Sequence, residues 1–451
     1  MLRRTFIKDS CLALAAGAAL AGCRQGNADV PPRRGNGKAD RDRAEAASTP
    51  LTDWETVRAQ FVLDPGRVHL SSLFIATNPE PVRAAIERYR RALDGDPVGT
   101  MLAENGLRRG LARKAAGEYL GAEAGDVALT ESTTMGLGLV YNGLRLGPGD
   151  EVLTTEHDYF VTHESLRLAC LRTGARLRKV ALHPPGRPEE ASADAMVEAV
   201  AVALRPETRV LAVTWVHSGS GLKLPLARIG KAVAEANADR GEQERILFCV
   251  DGVHGFGVED AGVAELGCDF FIAGCHKWLF GPRGTGIVWG NRRGWRSALP
   301  TIPSFIDGEA WEAWRDGEAP DGETTAARMC PGGFKAFEHQ WALPEAFAFH
   351  ARIGRRRIAE RTHDLNRRLL EGLAGMKGVR LRTPRAEGLQ AGIACFTLEG
   401  MDPFEAAGRL REKGVVATVT PYAQRYVRFA PSILNFPSDI ERALAAVREL
   451  A

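Results

Sequence analysis

The chain has 451 residues, with 59 Lys and Arg against 56 Asp and Glu and a formal net charge of +3. Hydrophobic residues make up 45% and charged residues 25%, which excludes a wholly disordered, collagen-like or multi-span membrane protein. The length suits about two or three domains, and the balanced charge gives no reason to expect a nucleic-acid partner. Eight cysteines are too sparse for a disulfide scaffold, and no CxxC pair marks a structural zinc site.

Residues 1–30 read as a targeting segment. Arg3-Arg4-Thr5-Phe6-Ile7-Lys8 fits a twin-arginine export pattern. The apolar run from Cys11 to Gly22 is too short for a comfortable membrane span. Leu20-Ala21-Gly22-Cys23 resembles a lipobox, in which Cys23 is acylated and becomes the mature N-terminus; the alternative is an ordinary cysteine in a signal cut elsewhere. Residues 31–50 read as a flexible linker. The expected location is the periplasm, reached through the twin-arginine export machinery, with membrane attachment only through a lipid on Cys23. That route carries proteins already folded, so it suits a protein that captures a cytoplasmic cofactor before export.

Residues 51–84 are expected to form an N-terminal segment that packs with a small C-terminal domain, and 85–335 a large domain. In the large domain, amphipathic helices alternate with short apolar strands. The expected strands are Val127–Thr130, Glu151–Thr155, Arg176–Leu182, Arg209–Val216, Arg245–Val250, Asp269–Ala273 and Gly284–Trp289, with helices such as Ala191–Leu204 and Leu226–Ala238 between them. This alternation predicts an α/β fold with a doubly wound, mostly parallel sheet, whose ligands sit at the C-terminal ends of the strands. Residues 300–330, rich in Gly, Pro, Asp and Trp, read as a long loop over a site or interface. From Glu338 to Met376 the pattern is helical. Short strands at Ile393–Leu398, Val415–Val419 and Tyr426–Ala430, with two helices, complete a smaller α+β domain over 336–451.

Three segments carry the chemistry. In Ala273-Gly274-Cys275-His276-Lys277-Trp278, a Lys follows an apolar strand and precedes a Gly-rich turn. A desolvated Lys has a lowered pKa and can form a Schiff base; the alternative is an exposed Lys at a strand end. Ile246 to Asp251 is a buried strand ending in an Asp, followed by Gly252-Val253-His254. That carboxylate suits a protonated pyridine nitrogen, or simply caps the turn. In Leu129-Thr130-Glu131-Ser132-Thr133-Thr134, a strand runs into a helix whose hydroxyls and first amides form an anion site, or a plain N-cap.

In this order, each at a strand's C-terminal end, these segments make the chain similar to the class V aminotransferases of PLP fold type I, a family that includes isopenicillin N epimerase-like proteins and cysteine desulfurases. The resemblance spans about residues 65–450. It implies pyridoxal 5′-phosphate (PLP) as cofactor and Lys277 as the internal-aldimine lysine and proton shuttle. It implies Asp251 on the pyridinium nitrogen, His254 near the phenolic oxygen, Thr133 and Thr134 on the phosphate, and His276 beside the lysine among the cofactor contacts. Val152 to Tyr159 resembles the segment whose aromatic residue stacks on the ring; His157 is placed there, with Tyr159 as the alternative. Ser218 in Val216-His217-Ser218-Gly219 matches a ring and substrate contact. Arg428 in Tyr426-Val427-Arg428-Phe429 matches the Arg that binds the substrate carboxylate by its guanidinium fork; the alternative is a surface Arg on an edge strand.

Departures from the family narrow the activity. Cysteine desulfurases carry a mobile-loop Cys before that Arg, and Val419-Thr420-Pro421-Tyr422-Ala423 has none. Cys395 lies in a strand pattern and reads as a core thiol. Gly333 stands where relatives place a Thr that reaches the partner's phosphate, and Gly274 replaces a polar residue. The implied activity is transamination or epimerisation at the α-carbon of an amino acid or amine-bearing peptide. A C–S or β-elimination lyase and a non-catalytic binding protein on the same fold are the alternatives. The run Gly281–Gly286 is Gly-rich but enters a strand, so a nucleotide-binding reading lacks its strand–turn–helix context. His157 and His163 read as isolated, so no metal site is expected. The family implies a homodimer.

Overall fold

The computed structural model describes residues 50–451; the twin-arginine pattern, Cys23 and the linker lie outside the described residues. A two-residue strand, β1 (Val68–His69), precedes the large sheet. The sheet comprises β2 (Val127–Thr130), β3 (Glu151–Thr155), β4 (Arg176–Val180), β5 (Thr208–Thr214), β6 (Leu247–Asp251), β7 (Phe270–Gly274) and β8 (Gly286–Gly290). Its order is β2-β8-β7-β6-β5-β3-β4. All neighbours are parallel except β8, which runs antiparallel to both β7 and β2. Helices cover both faces, so the inner strands are buried along their whole length and read as continuous apolar runs. Only β4, at one edge, has exposed positions, Arg176 and Lys179, among half-buried ones. Gly136, in the helix Thr133–Gly143, lets that helix lie directly on the sheet: a Cβ there would stand 2.6 Å from Ile272 Cγ2.

The C-terminal part builds a second sheet from β9 (Val379–Leu381), β10 (Ala394–Leu398), β12 (Thr418–Val419) and β13 (Val427–Phe429), all antiparallel, in the order β12-β13-β10-β9. The strand β11 (Val415–Val416) pairs in parallel with β1, so the N-terminal segment joins this half of the molecule. Val68 and Leu70 sit in its apolar core with Leu369, Phe396 and Phe429.

Several elements differ from expectation for local reasons. The helical stretch after residue 337 is three helices, Phe337–Trp341, Leu343–Ile353 and Arg355–Ala374. Gly354, at φ 94°, breaks the last two apart, and Pro344 opens the middle one. Residues 300–330 are not one long loop: they contain the helix Gly308–Asp316, started by Asp307, whose side chain accepts from Ala310 N, and ended by Gly317 in the left-handed region. The stretch Val415–Val419 is two strands serving different sheets. The halves are tied by Glu259, which accepts from Lys223 Nζ and sits 2.7 Å from His363 Nε2.

Candidate active site

Lys277 stands on the connection between β7 and β8. The turn is rigid by construction: Cys275 N donates to Thr285 O at 3.0 Å and Gly281 N to Cys275 O at 2.8 Å. Phe280 takes a left-handed φ of 56°, which costs energy for a residue with a Cβ. Two contacts hold it there. Asn78 Nδ2 donates to the carbonyls of Phe280 and Gly281, and the Phe280 ring is buried edge-on against Phe61 at 5.2 Å. Burial pushes the Lys277 ammonium down to about 8; the Asp251 carboxylate opposes that shift and Arg428 reinforces it.

Asp251 ends β6, buried, with Oδ1 accepting from Val253 N at 3.1 Å. Burial raises its carboxyl to about 6, against the pull of that hydrogen bond and of Lys277. His254 is also buried. Its Nδ1 accepts from the Trp278 indole at 3.2 Å, so its ring proton resides on Nε2. Burial and the charges of Lys277 and Arg428 hold His254 well below its ordinary value and keep it neutral.

Thr133 and Thr134 open the helix after β2, with Ser132 as N-cap accepting from Met135 N at 3.1 Å. Thr133 Oγ1 accepts from Gly274 N at 2.7 Å, while Thr134 is exposed. Gly274 is tightly flanked: a Cβ would meet Thr133 Oγ1 at 3.0 Å and His276 Cε1 at 3.1 Å. Thr133 and the His276 ring fill the space beside it. His276 Nδ1 is buried there without a partner.

His157 follows β3. Its Nε2 accepts from Leu182 N at 3.1 Å, and its ring stacks on His183 with centroids 3.8 Å apart and planes 19° from parallel. Burial pushes His157 down to about 3, helped by the neighbouring His217 and His183. Asp158 fixes the chain here: its Oδ2 accepts from the Thr154 and Thr155 hydroxyls and Thr155 N, and its Oδ1 from Thr214 N at 2.6 Å. His217 is 2% exposed with neither ring nitrogen partnered, and burial pushes it down to about 4.

The C-terminal half reaches this cluster through Ser218. The Ser218 and Tyr422 hydroxyls are 2.8 Å apart, and Tyr159 meets the Tyr422 ring edge at 5.7 Å. Arg428 donates from Nη1 to Ser218 O at 2.8 Å, from Nη2 to Val419 O at 3.0 Å and from Nε to Thr418 Oγ1 at 3.2 Å. It is 4% exposed and lies on β13, between β12 and β10, so it is not a surface Arg on an edge strand. These bonds leave an N–H on each of Nη1 and Nη2 free to meet an anion.

The structure therefore brings Lys277, Asp251, His254, Arg428 and Ser218 into one cluster, with Thr133 and His276 packed at Gly274 before the lysine, Thr134 exposed beside Thr133, and His157 just after β3. Sequence reasoning passed over Trp278, which sets the His254 tautomer, His183, which backs His157, and Tyr422, which meets Ser218. The signal for Tyr422 was present, since it stands in the stretch where desulfurases carry their thiol. Among the described residues, no group of three or more His, Cys, Asp or Glu side chains could hold a metal ion.

These residues fit PLP. A lysine of lowered pKa faces a buried carboxylate that can hold a ring proton, a neutral histidine offers an N–H, and His276 Nδ1 lies buried and unmatched beside the Thr133 turn.

Residues 76–420 match the family described as aminotransferase class-V. The isopenicillin N epimerase of Streptomyces clavuligerus is 30% identical over 375 residues, covering 80% of this chain and 89% of its own. That of Amycolatopsis lactamdurans is 26% identical over 426 residues, covering 89% and 99%. A cysteine desulfurase of Klebsiella pneumoniae is 26% identical over 430 residues, covering 88% and 98%. Among solved structures, apo cysteine desulfurase from Thermococcus onnurineus NA1 has a TM-score of 0.76 at 20% identity, covering 89% of this chain and 99% of its own. The cystine C-S lyase C-DES in complex with cysteine persulfide has a TM-score of 0.75 at 19% identity, covering 85% and 98%. The fold is that of PLP fold type I, and the chain belongs to the class-V aminotransferases, a PLP-dependent family.

Proposed function

We propose that this enzyme acts at the α-carbon of an amino acid or an amine-bearing peptide, by transamination or epimerisation. The observation that carries this reading is the enclosed Lys277, lowered to about 8 between Asp251 and Arg428. An amine at that pKa is half unprotonated at about pH 8, well below an ordinary lysine, and serves as both a nucleophile and a proton carrier. When bound, PLP supplies the electron sink at the substrate α-carbon. Asp251 holds a proton on the ring nitrogen. His254 donates its Nε2 proton toward the phenolic oxygen, and His157 offers a flat neutral face. The first turn at Thr133 and Thr134, with His276, takes the phosphate. Arg428 receives the substrate carboxylate with the N–H groups its backbone bonds leave over. Ser218 joins this receptor to the large domain.

A lyase is the second reading, favoured by the desulfurase and C-S lyase relatives. Persulfide chemistry has less support. The stretch before Arg428 offers Tyr422 in place of a thiol, and burial pushes the Cys395 thiol up to about 12. The export pattern of residues 3–8 supports a periplasmic location. Exposed Phe74, Phe305 and Phe334 support burial of these rings in a homodimer.

The test is the visible spectrum of the purified protein. A PLP band that borohydride fixes onto Lys277, absent in Lys277→Ala, supports the reading; no Lys277-dependent band refutes it. Amine screening in D2O then separates outcomes. Keto-acid formation marks transamination, inversion with α-deuterium marks epimerisation, and release of a β-substituent marks the lyase.

A further inference from the structure

We infer that Lys335, reaching Glu131 just after β2, is a cofactor-phosphate ligand of this chain. The inference rests on the PLP reading above and adds a residue to it.

Two contacts lay the segment after Met329 along β2. Cys330 Sγ accepts from Leu129 N at 3.3 Å. Lys335 Nζ then pairs with Glu131 Oε1, just past the end of that strand. The next residues are Ser132, Thr133 and Thr134, where the phosphate turn begins. Lys335 is thereby delivered to that turn within one chain.

Charge and hydrogen bonding point the same way. Both side chains are largely enclosed, Lys335 at 13% exposure and Glu131 at 25%. Glu131 Oε2 is buried with no partner. A half-satisfied carboxylate next to an anion-binding turn repels the anion unless a cation stands beside it. Lys335 is that cation. Its ammonium has three N–H groups: one meets Glu131, one lies 3.3 Å from Pro331 O, and the third remains for a phosphate oxygen.

The experiment compares PLP with pyridoxal, which has the same ring and aldehyde but no phosphate. Apoprotein of the full chain is titrated with each, following the visible band. Lys335→Met is expected to weaken PLP about tenfold, as for loss of one charge-assisted hydrogen bond, while pyridoxal binding stays unchanged. Lys335→Arg keeps the charge and should retain the preference for PLP. Glu131→Gln should bind PLP at least as tightly as the wild type. Inorganic phosphate should compete with PLP in the wild type and more weakly in Lys335→Met. The inference is overturned if Lys335→Met lowers both affinities alike, or neither, or if Lys335→Met fails to fold while Lys335→Arg folds but loses the PLP preference. A wild type that binds neither PLP nor pyridoxal sinks the cofactor reading itself, a result distinct from these.

Discussion

His183 makes a measurable demand on cofactor binding. Its ring lies 3.8 Å behind His157 at 19°, while the amide of Leu182 holds His157 Nε2 from the side. His183→Ala keeps the lateral hydrogen bond and removes the rear face. A stacked ring pair contributes about 1 kcal/mol beyond its buried area, and 1.4 kcal/mol is tenfold in affinity. PLP should therefore bind about fivefold more weakly to His183→Ala. His183→Phe, flat and of similar breadth, should recover most of that loss. His157→Ala should lose more than His183→Ala, because it removes the ring proposed to meet the cofactor. The assay is titration of apoprotein with PLP, read from the visible band and from the rate of cofactor release. The stacking argument fails if His183→Ala binds PLP like the wild type, or if His183→Phe is as weak as His183→Ala.

Other expectations follow from individual contacts. Trp278→Phe leaves His254 Nδ1 buried without its donor, which should cost about 1–3 kcal/mol in urea unfolding; nitrogen NMR of labelled histidine should show Nε2 no longer holding the proton alone. Burial holds His157 at about 3 and His217 at about 4, against an ordinary 6.5. The unfolded chain then binds protons that the folded chain refuses, so apoprotein stability should fall as pH drops from about 6.5 toward 4. His217→Phe, which removes two unpartnered nitrogens, should flatten that decline, and an unchanged acid profile would count against it. For Lys277, lowered to about 8, PLP uptake should quicken as pH rises through about 8 and not near its ordinary 10.5, measured by stopped-flow absorbance. Tyr422→Phe removes the hydroxyl that meets Ser218 and should raise the KM for a carboxylate substrate several-fold, with the position of the visible band unmoved.

The large sheet was legible because its strands are buried on both faces and therefore appear as unbroken apolar runs between amphipathic helices. The antiparallel course of β8 was not, since strand direction leaves no trace in burial pattern. Gly284 to Trp289 reads the same whichever way it runs. Asp251 stood out because it ends an apolar strand with a charge, and Lys277 because it follows one closely. Trp278 and His183 did not, because a tryptophan after a lysine reads as core and a histidine after a strand as surface. Their roles come from tertiary placement: an indole N–H turned onto His254, and a ring slid behind His157. The helix at Gly308–Asp316 was hidden by its composition, although Asp307 and Gly317 are ordinary start and stop residues.

The turn bearing Lys277 is stitched shut by two strands inside the sheet. Gly274 faces Gly286 across β7 and β8, and β8 is itself held between β7 and β2. Freeing the turn means parting central strands, so it cannot fray as surface loops do. Its amides should exchange with solvent only when the whole large domain opens. The stretch around Tyr422, joining β12 to β13, has shorter strands behind it and should exchange far sooner. The nucleophile thus rides on the slowest-opening part of the molecule, and the side that greets the substrate on a more yielding one.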